Sequence, residues 1–198
     1  MNDIAATRAF FGPRAESWEV RFPDDGPAYR RAVADLAPPP GGAVADVGCG
    51  TGRALPELRD AVGAAGTVLR FDVTVEMLAE AAARGRRDAA ALVLADAVHL
   101  PLATGSLDAV FAAGLVTHLP DAVAGLSELA RVCRPGGRLA LFHPVGRTAL
   151  ARRQGRELTP DDLRAEPNIR AALAASRWRC DRVDDAEDRY LTLATRVP

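Results

Sequence analysis

VADVGCGTGR, Val44 to Arg53, joins an apolar run to a turn with glycine at every second position, 48, 50 and 52. A strand that breaks into such a turn and then opens a helix leaves free backbone N–H groups and bare Cα atoms facing a ligand. The third glycine comes one position too early for the dinucleotide pattern G-x-G-x-x-G. Outward from this turn, short apolar runs alternate with helical patterns. Strands are expected at 43–47, 67–71, 91–95, 108–113 and 138–143, and helices at 52–62, 74–84 and 121–133, the pattern of successive βαβ units around a parallel sheet buried on both faces. Thr74 is expected to cap the second of these helices and Gly85 to stop it.

Beyond the fifth strand the sequence predicts a basic loop over 144–158 and a helix from Thr159, with Asp161 and Asp162 in its first turn. Two extended runs follow, RWRCDRVDDA and EDRYLTLATRV, expected as an antiparallel hairpin on the sheet edge. APPPGG, 37–42, forbids helix and sheet alike. Ahead of it, Asp24 or Asp25 is expected to cap a helix with Pro27 in its first turn and Tyr29, Val33 and Leu36 on one face. The expected fold is therefore α/β: a Rossmann-like, doubly wound, seven-stranded sheet, mostly parallel with a C-terminal antiparallel hairpin and helices on both faces. It forms a single domain over 1–198, with a helical preamble over 1–37 and a core over 43–198.

Asp46 lies two positions before the first glycine. A carboxylate there would repel the pyrophosphate of a dinucleotide and attract the ammonium group of a methionine moiety. Three further stretches follow in order: RFDVTVEML around Asp72, LADAVHLPLATGSLDAVFAAGLV, and ELARVCRPGGRLALF. On these motifs, from about Gly42 to Pro144, the chain resembles the class I S-adenosylmethionine-dependent methyltransferases, and among them the small-molecule group typified by the ubiquinone-biosynthesis enzymes. The resemblance implies that Asp72 accepts hydrogen bonds from two ribose hydroxyls. The same acid would serve NAD, or could simply cap the helix near Thr74. It also implies that Asp96 and the backbone of Ala97 meet the adenine, with Leu100 and Leu102 as an apolar wall nearby; Gly48, Cys49, Gly50, Gly52, Val73, Met77 and Ala113 are expected to complete the cofactor site, with Trp18 of the preamble as its cover. Cys49 is expected as a small side chain that fits the turn. The RPGG turn at 134–137 is structural in the family.

Ala112, Ala113, Gly114 and Leu115 stand where enzymes acting on exocyclic base nitrogens carry an Asn or Asp followed by Pro-Pro and an aromatic. No cysteine follows a proline, and paired glutamates of the protein-arginine type are absent, so a small-molecule acceptor is implied. Methyl transfer from a sulfonium is an in-line displacement, in which positioning can supply about 7 to 11 kcal/mol. If the acceptor must lose a proton, His143, at the C-terminal end of the fifth strand, and His118 are the candidate bases. His118 could equally orient the turn before Asp121. Arg147, Arg152, Arg153 and Arg156 could bind an anionic acceptor or form a solvated face. The readings carried forward are a small-molecule methyltransferase, a non-catalytic or regulatory relative that binds the cofactor only, and an NAD(P)-dependent oxidoreductase.

The 198 residues carry a net charge of −1, which gives no general pull toward polyanions. All 25 basic residues other than histidine are arginine, which removes Schiff-base, pyridoxal phosphate and P-loop chemistry. Cys49, Cys133 and Cys180 lack metal-ligand spacing. No leader pattern opens the chain, and its longest uncharged run falls short of the roughly 20 residues of a membrane span. Cytoplasmic localisation without nucleic-acid or membrane partners is expected. Phe10, Phe11, Trp18 and Phe22 concentrate aromatics in residues 1–23, which are expected to form a lid over the cofactor, the alternative being that Phe10, Phe11 and Trp18 pack on the flank of the sheet as core.

Overall fold

The computed structural model describes residues 4–21, 25–86 and 92–198. Seven strands form one sheet: β1 Ala43–Val47, β2 Thr67–Asp72, β3 Leu92–Leu94, β4 Leu107–Ala113, β5 Cys133–His143, β6 Trp178–Ala186 and β7 Arg189–Arg196, in the order β3-β2-β1-β4-β5-β7-β6. The first five are mutually parallel, and β7 runs antiparallel between β5 and β6. This is the Rossmann-like, doubly wound seven-stranded sheet with a C-terminal hairpin. Strand order reverses between β1 and β4, and this reversal opens a crevice at their C-terminal ends.

Eight helices are described: α1 Ile4–Phe11, α2 Trp18–Arg21, α3 Gly26–Leu36, α4 Leu55–Val62, α5 Val75–Ala83, α6 Ala122–Val132, α7 Arg147–Arg153 and α8 Glu166–Ala175. Two apolar layers sandwich the sheet. On one side Leu126, Leu129, Ile169, Leu173 and Trp178 pack against Val47, Val110 and Leu141. On the other, Val33, Leu36, Leu55 and Leu58 pack against Val44, Phe111 and Phe142. The alternation of inward residues along β1 and β4 feeds both layers, as expected for strands covered on both faces.

Several boundaries differ from expectation, with local causes. Helix α4 begins at Leu55 rather than 52, and α8 at Glu166 rather than 159, each with a proline, Pro56 and Pro167, in its first turn. A proline needs no N–H there, and its ring would clash one turn further in. Thr159, Asp161 and Asp162 thus precede the helix they were expected to cap. Asp25 occupies the N-cap position of α3 without a capping bond, because its carboxylate is taken by Arg53 at 2.8 Å. Thr74 is the N-cap of α5, but its side chain makes no capping bond; its own N–H donates to Asp72 at 2.8 Å. The expected basic loop contains α7, whose Ala149 and Ala151 are buried. Leu100 belongs to the core and Leu102 packs against it, so neither walls the ligand crevice. Phe22, Asp24 and the first residue of the expected third strand lie outside the described residues.

Candidate active site

The C-terminal ends of β1, β2, β4 and β5 open into a cleft of about 960 Å³. The turn after β1 forms its floor. Gly48 and Cys49 both donate their N–H to the Phe71 carbonyl, at 2.8 and 3.0 Å, which anchors the turn to β2. Gly50 has φ +53°, and a Cβ there would meet no protein atom nearer than the Met77 sulfur at 4.0 Å, so its bare Cα faces open space. Gly52 differs from the others. It takes φ +85° and packs on Leu55, which a Cβ would strike at 2.3 Å, and it does not line the cleft. Its service to the site is to turn the chain into α4.

Two carboxylates stand at the base of the cleft. Asp72 accepts the N–H of Gly50 at 2.8 Å through one oxygen and that of Thr74 at 2.8 Å through the other. It therefore caps α5 and holds the glycine turn while still facing the cleft, and burial raises its pKa. Asp46 is 1% exposed, and its Oδ1 has no hydrogen-bond partner. Burial, with the Asp72 charge beside it, pushes its carboxyl up to about 7. A buried, unpartnered carboxylate oxygen costs free energy unless a donor or cation meets it. The ammonium of a methionine moiety would do so, whereas a pyrophosphate would raise the cost.

Trp18, Val73, Met77, Asp96, Ala97 and Ala113 line the same cleft, as does Cys49, whose thiol is pushed up by burial and is unsuited to act as a thiolate. Asp96 accepts the Val98 N–H at 3.1 Å, which shapes the loop where an adenine is expected. The structure thus brings together every expected cofactor residue except Gly52. His118 and His143 line the other end. His143 Nδ1 lies 2.8 Å from the Val145 carbonyl oxygen and 3.1 Å from its nitrogen, and donation to the carbonyl leaves the Nε2 lone pair free. Burial, with the charges of Arg164 and Arg153, lowers its pKa to about 4. The ring is therefore neutral at pH 7 and a weak base. Burial and Arg164 lower that of His118 too.

Residues 4–21, part of the expected lid, also contribute to the cleft lining. Ile4, Thr7, Phe10, Phe11, Arg14 and Trp18 line the cleft, and Phe11 meets Trp18 at 5.5 Å and the His118 ring at 5.0 Å. Arg8 donates to the Val73 carbonyl at 2.8 Å. Glu19 fastens the other end: the Thr51 hydroxyl donates to it at 2.8 Å, Arg86 pairs with it, and Arg84 lies at 3.4 Å. These arginines hold its pKa below the usual carboxylate range despite burial. Neither Glu19 nor Arg86 carries a local signal, because their partnership spans 67 residues. Gly146 was also missed. A Cβ on it would lie 1.7 Å from the Ala186 carbonyl oxygen, so only glycine lets the loop after His143 lie against the β6–β7 turn.

The fold is an open α/β sheet whose cleft lies at the reversal of strand order, with two buried carboxylates, Asp46 and Asp72, at its base. Residues 45–141 match the family described as "Methyltransferase domain". The chain belongs to the class I S-adenosylmethionine-dependent methyltransferase family. It is 42% identical over 114 residues to a demethylmenaquinone methyltransferase of Beutenbergia cavernae, covering 57% of this chain and 45% of that protein. It is 36% identical over 125 residues to an aklanonic acid methyltransferase of a Streptomyces species, covering 61% and 56%. The chain thus matches about half the length of these curated relatives. A solved S-adenosylmethionine-dependent methyltransferase from Aquifex aeolicus superposes with a TM-score of 0.72 at 22% identity, covering 98% of this chain and 99% of that one. No helix among the described residues is long and apolar enough to cross a membrane.

Proposed function

We propose that this protein transfers a methyl group from S-adenosylmethionine to a small-molecule acceptor. The observation that carries this reading is the unpartnered, buried Asp46 oxygen beneath the glycine turn, in one cleft with Asp72. Asp46 would meet the ammonium group, Gly48 and Gly50 would let the amino-acid portion approach the backbone, and Asp72 would take the ribose through its remaining lone pairs. Asp96, Ala97 and Met77 would flank the adenine. When bound, the cofactor supplies an electrophilic methyl carbon and a neutral thioether leaving group. The acceptor would lie between His118, His143 and Arg164, with Phe11 and Trp18 excluding water from above.

Residues 4–21 act in this reading as a lid. The position of Phe11 on His118 supports this, as does the lack of buried residues in α1 and α2, which sets them outside the two core layers. The three free cysteines suit a cytoplasmic site of action. Titration calorimetry with S-adenosylmethionine, joined to transfer of a labelled methyl group to a panel of phenols, enols and carboxylic acids, tests the reading. Micromolar binding with transfer supports it, binding without any transfer points to a cofactor-sensing relative, and absence of binding overturns it.

A further inference from the structure

We propose that the acceptor binds as an oxygen anion, with its negative charge held against Arg164. This rests on the methyltransferase reading above and names its substrate class. Arg164 sits in the turn before α8, is 6% exposed and lines the cleft beside the two histidines. Its Nε lies 3.7 Å from Asp162, beyond hydrogen-bond reach, and has no partner. Its backbone N–H donates to Asp162 Oδ1 at 2.9 Å, and its guanidinium lies 5.8 Å from the Tyr190 ring. Asp162 is shared with Arg147, which it meets at 3.4 Å and which also holds Asp185 at 2.9 Å.

The remaining charges on this wall favour an anion. Arg153 and Arg156 line the cleft, and neither has a carboxylate partner among the described residues; the Arg156 Nε meets Gln154 instead. Asp161 is the other acid there, and it bonds with Thr159. Burial, with the nearby guanidinium charges, lowers the pKa of both His118 and His143, that of His143 to about 4. A guanidinium with an unmade hydrogen bond, sealed from bulk water, is costly until an oxyanion meets it, and it binds such groups strongly. An acceptor with an acidic hydroxyl, a phenol or enol, would then lose its proton to solvent on binding, so that no protein base need remove it. A neutral alcohol or amine would bring no negative charge to the unpartnered Arg164 Nε.

The probe is 4-nitrophenol, with 4-nitroanisole as its neutral isostere, titrated into the full chain with and without saturating S-adenosylhomocysteine. The nitrophenolate band is expected to report ionisation at lower pH when bound than when free, with at least tenfold preference over the anisole. Arg164→Gln should abolish both effects and leave S-adenosylhomocysteine affinity within twofold. Should that buried substitution unfold the chain, Arg164→Lys must keep the preference and Arg153→Gln must weaken nitrophenolate alone. Equal affinity for phenolate and anisole, or an unchanged preference in Arg164→Gln, overturns the proposal. Failure of S-adenosylhomocysteine to bind the wild-type chain is a separate result and counts against the methyltransferase reading instead.

Discussion

The Asp72 carboxylate accepts the Gly50 N–H at 2.8 Å, so the acid at the end of β2 is built into the turn that follows β1. A group that would bind the ribose also fixes the backbone beneath the methionine moiety. Loss of either function disturbs the other.

Asp72→Ala should therefore weaken S-adenosylmethionine binding by more than the two ribose contacts alone. Each hydrogen bond to a charged acceptor contributes about 1.5 to 3 kcal/mol, so a loss of at least tenfold in affinity is expected, together with a lower melting temperature. Calorimetry and thermal unfolding on the same samples check it. A folded variant with unchanged affinity would show that Asp72 serves only the turn and α5.

Asp46→Asn should separate stability from binding through pH. The folded-state pKa of about 7 lies above the unfolded value, so the native state binds the extra proton between about pH 4 and 7. Stability from this group is present at low pH and is lost as pH rises to 7. The variant should therefore gain stability relative to wild type over that window and level off above it. Wild-type binding of S-adenosylmethionine at pH 6 should release protons, seen as a buffer dependence of the calorimetric heat that the variant lacks.

Removing residues 1–23 should leave the fold intact while reducing cofactor affinity at least tenfold. Helices α1 and α2 bury none of their residues, whereas loss of a core aromatic costs about 3 to 5 kcal/mol. Glu19→Gln, which unfastens the roof from Thr51 and Arg86, should reproduce part of the affinity loss. A truncated chain that binds as tightly as the full one would remove the lid from the proposed function.

Gly146→Ala should lower turnover more than it lowers cofactor affinity. The added Cβ would collide with the Ala186 carbonyl and displace the loop that carries Val145, the partner of His143. Forcing atoms into a packed contact costs about 1 to 3 kcal/mol, so a fall in melting temperature is also expected. Equal effects on kcat and on S-adenosylmethionine binding would mean that the disturbance is not confined to the acceptor end.

The sheet and the glycine-turn end of the cleft were legible because their determinants are local: apolar runs of strand length, a glycine turn, and acids at strand ends. At the other end of the cleft His118, His143, Arg153 and Arg156 were named from the sequence, but Arg164 was not. Arg164 reads in sequence as one arginine of a helix expected from Thr159, and only the fold of 144–165 makes it a cleft residue. The prolines at 56 and 167 did carry the helix starts that periodicity placed too early. Gly52 has the spacing of Gly48 and Gly50, yet it packs on Leu55 and does not line the cleft.

Strand β7 lies between β5 and β6 and supplies Tyr190, Leu191, Thr192 and Leu193 to the interior, yet it comprises residues 189–196. During synthesis, the parallel strands can therefore be complete while β5 still presents a bare edge, and β6 has no neighbour until its successor emerges. Such an exposed edge is a template for pairing with other chains. Ribosome-bound chains ending before Arg189 are thus the ones expected to require chaperone protection, and pairing of β7 with β5 and β6 is the event that covers that edge.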